Sequence, residues 1–254
     1  VMSNELILAI SGNDIFSGGG LHADLATYTT NKQHGFVAVT CLTAMTEHGF
    51  EVIPVDPTTF AQQLNSLKDV PFSAIKLGLL PNVEVADLAL DYVKDHADIP
   101  VVLDPVLVCK ETHDVEVSAL RDELIKFFPS VTIITPNLPE AEILIQSKIQ
   151  SLDDMKEAAR KLHELGAANV VVKGGNRLNQ EKAIDVFYDG KDFTVFEEAV
   201  LEKNNTGAGC TFASSIASQL VQGKGPLEAV EASKVFVYQA IQKSDQYGVV
   251  QYDQ

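Results

Sequence analysis

The chain has 254 residues, 46% of them hydrophobic, and 19 Lys and Arg against 35 Asp and Glu give it a formal net charge of −16. Such an acid surplus supplies no basic stripe for a phosphate backbone, which argues against nucleic-acid binding; an anionic ligand has to be held locally, by loops and a few lysines. Three widely separated cysteines (41, 109, 210) without a CxxC pair give neither a disulfide framework nor a zinc ribbon.

A chain of this length with this apolar content can bury one large core, so a single domain over 1–254 is expected. The opening VMSNELILAI has a short apolar run without a basic flank, no segment approaches a membrane span, and unpaired thiols suit a reducing compartment. A cytoplasmic protein without a membrane partner is expected.

In chain order, runs rich in β-branched residues recur at ELILAI (5–10), FVAVT (36–40), AIKLG (74–78), PVVLD (100–104), VTIIT (131–135) and NVVVKGG (169–175). Helical spacing fills the intervals at about 20–34, 57–67, 82–95, 116–128, 138–147 and 151–165, the last opened by Ser151 with Asp154 as a capping box and closed by Gly166. Strands that are apolar throughout and alternate with helices imply an α/β fold, a mostly parallel central sheet with helices on both faces. After Gly175, AIDVFYDGKDFTVF reads as a β-hairpin turning at Asp189-Gly190, and two helices follow, the second started by Pro226.

Ligands of such sheets bind beyond the carboxyl ends of the strands. Those ends carry Ser11-Gly12-Asn13-Asp14 with Ser17-Gly18-Gly19-Gly20, then Asp104-Pro105, Thr135-Pro136-Asn137 and Lys173-Gly174-Gly175. Gly18 to Ala23 matches GxGxxA, but the second strand lacks the closing acid that a dinucleotide site needs, and no Walker loop occurs. Thr206-Gly207-Ala208-Gly209-Cys210 reads as a glycine turn opening a helix, where unsatisfied amides and the helix dipole form an anion site. A thiol there is expected to have its pKa lowered toward neutrality, which fits a base or nucleophile beside a phosphate.

Taken together, SGNDIFSGGGLHADL (11–25), DPV (104–106), TPNLPEAE (135–142), KGG (173–175) and TGAGCTF (206–212) resemble the ribokinase-like superfamily. The likeness is to its vitamin-kinase branch of hydroxymethylpyrimidine kinases and bacterial pyridoxal/pyridoxine kinases, and it spans essentially the whole chain. It implies an ATP- and magnesium-dependent kinase, with a monovalent cation such as potassium as a further requirement, acting on a small vitamer as a homodimer. Thr206, Gly207, Ala208, Gly209 and Cys210 would form the anion hole, with Cys210 catalytic. Asn137 and Glu140 would position magnesium, largely through water, with Asp104 and Glu142 as acidic support, and Lys173 would meet the ATP phosphates. Asp14, Ser11 and Gly19 would form the floor for the vitamer.

Two positions bear on which vitamer. Where hydroxymethylpyrimidine kinases have a Gln to read the aminopyrimidine, this chain has Met45, whose thioether cannot make that contact. Cys109 stands where those kinases have a small apolar residue, and a thiol there could add to the aldehyde of pyridoxal. The expectation is a pyridoxal kinase that also takes pyridoxine and pyridoxamine, with Cys109 binding substrate and assisting catalysis, and with a lid over Lys110–Asp114. A hydroxymethylpyrimidine kinase, a bifunctional enzyme and a vitamer-binding protein are the alternatives.

Overall fold

Leu6–Ser11 (β1) is buried at every position after its first, which a strand achieves only with cover on both faces and a neighbour on each side. In the computed structural model, which describes residues 5–107 and 114–253, those neighbours are His34–Val39 (β2) and Ala74–Leu77 (β5), both parallel to β1. Val101–Leu103 (β6) pairs in turn with β5, also in parallel. Leu8 stands opposite Phe36 on one side and Ile75 on the other.

The chain packs as two compact units, Val1–Asp104 with Lys203–Gln254, and Pro105–Glu202. The first holds the sheet β2-β1-β5-β6 and the helices Gly20–Thr30 (α1), Pro57–Ser66 (α2), Val83–Lys94 (α3), Ala208–Val221 (α7) and Pro226–Gln242 (α8). Of these α7 is the central one: it lies on β1, β5 and β6 and packs against α1 and α8, and nine of its residues, Thr211 through Gln219, are buried. An unbroken buried stretch in a helix needs partners around its circumference, which sheet and helices provide together.

Two strands of this unit are absent from the expected pattern. Cys41–Thr46 (β3) and Gly49–Pro54 (β4) form a separate antiparallel pair around a turn that Gly49 closes at φ +98. The expected helix over 20–34 also stops at Thr30, because Lys32 takes a left-handed φ of 61 before β2 begins.

The second unit has Ile133–Ile134 (β7) parallel to Val170–Lys173 (β8), then Lys182–Tyr188 (β9) and Phe193–Ala199 (β10) antiparallel. The last two are the expected hairpin, and Asp189 Oδ1 fixes its turn by accepting the amides of Lys191 and Asp192 (2.8 and 2.7 Å). Asp114–Ile125 (α4), Leu138–Ile145 (α5) and Leu152–Glu164 (α6) complete the unit, with α6 packed on β8 and β9. Ser151 caps α6 by accepting the Asp154 amide (3.0 Å), as expected, while the Asp154 carboxylate takes the Gln150 amide.

Candidate active site

The two glycine loops of the first unit meet backbone to backbone. Gly207 has φ +85 and serves as the N-cap of α7, and a β-carbon on it would run into the carbonyl oxygen of Gly18. Gly18 in turn has no room for a side chain, because Thr206 Cγ2 and the Tyr247 carbonyl each lie 2.6 Å from where its β-carbon would be. Glycine at both positions is therefore a requirement of this crossing, beyond the tight turn that the spacing alone implied.

The crossing defines a spot above Gly19. A β-carbon placed there would lie 3.5 Å from Cys210 Sγ and 3.8 Å from Asp14 Oδ2. Asp14 shapes its own loop: Oδ1 accepts the Phe16 amide and Oδ2 the Gly19 amide, each at 3.0 Å. Ser17, at φ 63, completes the turn with its amide on the Asp14 carbonyl. Ser11, at the end of β1, is 1% exposed and its hydroxyl has no hydrogen-bond partner among the described residues.

At the start of α7 the Thr211 amide already reaches Gly207 O (2.9 Å) and the Thr206 carbonyl accepts from Val249. The Ala208 amide is likewise taken, by Asn205 O (3.0 Å), which leaves the Gly209 and Cys210 amides of the first turn, among the described residues, to meet an anion. Cys210 Sγ accepts the Gly20 amide at 3.4 Å.

The expected direction of the Cys210 pKa is overturned. The residue keeps some accessible surface, yet its sulfur lies at interior depth, and burial pushes the thiol up. Asp24 and Asp104 push the same way, against the lowering influence of Lys76 and the Gly20 amide. Desolvation of the charged form outweighs the helix terminus here.

Beneath this spot is a group that the sequence motifs did not reveal. Lys76 Nζ donates to Asp24 Oδ1 at 2.8 Å with both side chains 0% exposed, and Ser214, one turn along α7 from Cys210, donates to the same oxygen at 2.6 Å. Burial alone would lower the Lys76 pKa, but Asp24, Cys210 and Asp104 raise it beyond the ordinary lysine value. Tyr28 donates to Ser214 Oγ (3.3 Å), and burial raises its phenol likewise. A lysine inside the apolar run AIKLG was the available signal, since a buried charge demands a partner.

Met45 is on β3, 60% exposed and opposite Phe50. The small sheet is tied to the Asp14 loop by Thr43, whose hydroxyl donates to the Asn13 carbonyl and accepts the Ile15 amide, both at 2.9 Å.

In the second unit Asn137 and Glu140 form a reciprocal capping box at the start of α5: Asn137 Oδ1 accepts the Glu140 amide (2.9 Å) and Glu140 Oε1 the Asn137 amide (3.0 Å). Glu142 accepts from Arg177 and from the Ile149 amide, each at 2.9 Å. Burial raises its carboxyl pKa, but these donors outweigh it and hold the group below the usual carboxylate range. Lys173, the last residue of β8, bridges in parallel to Asn137. Among the described residues no three His, Cys, Asp or Glu side chains gather as a metal cage. Magnesium, which keeps its waters and takes phosphate oxygens, needs no such cage of protein ligands. Cys109 and positions 110–113 of the expected lid lie outside the described residues, and Asp114 opens α4.

A family model described as phosphomethylpyrimidine kinase matches residues 14–253. Pyridoxine kinase of Bacillus subtilis (strain 168) is 39% identical over 253 residues, 96% of this chain and 92% of that protein. Hydroxymethylpyrimidine/phosphomethylpyrimidine kinase of Aquifex aeolicus is 35% identical over 250 residues, 96% of each. Among solved structures, the pyridoxal kinase from Staphylococcus aureus in complex with AMP-PCP superposes with a TM-score of 0.90 at 34% identity, over 98% of this chain and 94% of that one. Its complex with AMP-PCP and pyridoxal gives 0.88 at 33%, with the same coverage. The expected ribokinase-like α/β architecture is the one this chain adopts, and the chain belongs to the phosphomethylpyrimidine kinase family.

Proposed function

We propose that this chain transfers the γ-phosphoryl group of ATP to the 5′-hydroxymethyl group of pyridoxal, and of pyridoxine and pyridoxamine as well. The observation that carries the reading is the crossing of the Gly18 and Gly207 loops, which sets Cys210 Sγ and Asp14 Oδ2 around one spot at the mouth of the α7 amides. The likeness to pyridoxine and pyridoxal kinases over nearly the whole chain supports the choice of vitamer.

In this reading the amides of Gly207, Gly209 and Cys210 stabilise the charge on the phosphoryl oxygens as the group moves, a task that preorganised donors do better than water. Cys210, as its thiolate, takes the proton from the hydroxymethyl oxygen while the new P–O bond forms and the bond to ADP breaks. Asp14 and Ser11 hold the vitamer ring, and Lys173 the nucleotide phosphates. Asn137 and Glu140 would hold magnesium, largely through water, and the ion would supply neutralisation of phosphate charge. The protein works in the cytosol as a homodimer.

The second reading, a hydroxymethylpyrimidine kinase or a bifunctional enzyme, is favoured by the Aquifex relative. ADP release measured with pyridoxal, pyridoxine and hydroxymethylpyrimidine separates them. The proposal expects the highest kcat/KM on the B6 vitamers; a preference for hydroxymethylpyrimidine overturns it.

A further inference from the structure

A lysine and an aspartate buried together at 0% exposure contribute little net stability, because losing both hydration shells offsets their attraction, and apolar residues of similar volume often do as well. The pair is nevertheless placed under the thiol. Asp24 on α1 accepts both from Lys76 on β5 and from Ser214, which stands four positions beyond Cys210 on α7. A β-carbon on Gly78 would lie 3.0 Å from Lys76 Nζ and 3.2 Å from Ser11 Cβ, which puts the ammonium at the carboxyl ends of β5 and β1, on the side of the sheet where Asp14 and Cys210 stand. Asp24 Oδ2 has no hydrogen-bond partner among the described residues, so the pair is not a closed network built for stability alone.

We propose that Lys76 is a positioning residue: held by Asp24, it presents a buried positive charge to Cys210 and so sets how readily that thiol gives up its proton. The inference rests on the reading above in which Cys210 takes the hydroxymethyl proton. Burial works against a thiolate at this depth, and of the influences that oppose burial the charge of Lys76 is the largest. The groups facing the thiol are Lys76 from β5, Asp24 from α1, Asp104 beyond β6, Asp14 and the Gly20 amide from the first loop, and Ser214 from its own helix, with Tyr28 of α1 behind Ser214. Lys76 is the cation of this set, so removing it makes the thiolate harder to form, and removing Asp24 makes it easier.

The test reads the iodoacetamide alkylation rate of Cys210 at neutral pH in the full-length protein, with the Cys210 peptide followed by mass spectrometry so that Cys41 and Cys109 do not interfere. Lys76→Met is expected to slow alkylation about tenfold and Asp24→Asn to speed it by a similar factor, tenfold corresponding to a one-unit displacement of the thiol's titration. The acid limb of kcat with pyridoxine should move upward in pH for the first variant and downward for the second, with KM for pyridoxine little changed. A purely structural pair would damage both variants alike. If Lys76→Met does not fold, Lys76→Met/Asp24→Asn, which removes both charges, should alkylate more slowly than Asp24→Asn. Rates that change in the same direction for both single variants, or in neither, overturn the inference. So does a double variant as fast as Asp24→Asn. Should Cys210→Ala keep its kcat, the reading of Cys210 as base falls, while the alkylation rates still decide what Lys76 does to the thiol.

Discussion

The carbonyl oxygen of Gly18 occupies the space that a side chain on Gly207 would need. Gly207→Ala therefore faces two costs: a left-handed φ of +85, worth about 1–2 kcal/mol for a residue with a β-carbon, and displacement of the first loop. Asp14 lies in the first loop and Cys210 in the helix turn that the second loop opens, so the displacement reaches the groups proposed to act on the substrate. A fall in kcat of about 10²-fold is expected, as for a misplacement of about 1 Å, together with a lower Tm. A variant with unchanged kcat and Tm would show that the loops have more freedom than their packing indicates.

Cys210→Ala removes the proposed base and leaves the amides of its helix turn in place. Loss of a general base costs about 10²–10⁴ in rate, and the loss should appear in kcat with pyridoxine while KM holds. Near-normal kcat would reassign the proton to another acceptor or to water.

The strands and helices were legible because their apolar periodicity is long and uninterrupted, and β1, β5 and β8 fall where runs of Val, Ile and Leu predict them. The hairpin β3–β4 was not, because its strands, as long as β1, are largely solvent-facing: Leu42, Met45, Phe50 and Ile53 are all exposed, so no single buried face marks the alternation. The segment before α7 was legible as a glycine turn opening a helix, but the environment of its thiol was not. A helix terminus can be read from neighbours in the chain, whereas the burial that dominates Cys210 comes from β5, β6 and α1. Lys76 and Asp24 illustrate the same limit: they are separated by 52 positions, and nothing in either segment names the other as its partner.

Glu140 has a structural duty and a proposed metal duty, and Glu140→Gln separates them. Glutamine keeps an oxygen to accept the Asn137 amide, so the capping box and the Tm should survive. The carboxylate charge is lost, so the magnesium concentration for half-maximal activity should rise while vitamer binding without nucleotide stays the same. An unchanged magnesium titration would return Glu140 to helix capping alone. Asn137→Ala, by contrast, removes the cap and should lower stability by about 1 kcal/mol.

Glu142 offers a pH-dependent counterpart. Its carboxyl is held below the ordinary range because the Ile149 amide and Arg177 outweigh the effect of burial. A depressed acid contributes its stability in full above the unfolded-state value and loses it as pH falls through the folded-state value. Glu142→Gln should therefore cost about 1 kcal/mol near neutrality, discounted because Arg177 is 40% exposed. The gap to the parent protein should close in the acid range below about pH 4. Chemical denaturation at pH 7 and pH 3.5 measures both; a gap that is the same at the two pH values would remove the ion pair from the account.

The last prediction concerns Cys109, and its argument is chemical. A thiol adds reversibly to an aldehyde: the sulfur–carbon bond forms, the carbonyl oxygen takes a proton, and a hemithioacetal results. Pyridoxal carries an aldehyde and pyridoxine an alcohol at the same ring position, so the first can be tethered and the second cannot. A tether would make part of the orientation problem intramolecular, an advantage that reaches several kcal/mol in well-oriented systems. Cys109→Ala should then lose at least about tenfold more kcat/KM on pyridoxal than on pyridoxine, and mixing the parent protein with pyridoxal should change the vitamer's absorbance in a way that the variant does not reproduce. Equal losses on both vitamers with identical spectra would leave Cys109 without a role in choosing between them. Recognition of the aldehyde would then have to come from the floor proposed for Asp14 and Ser11.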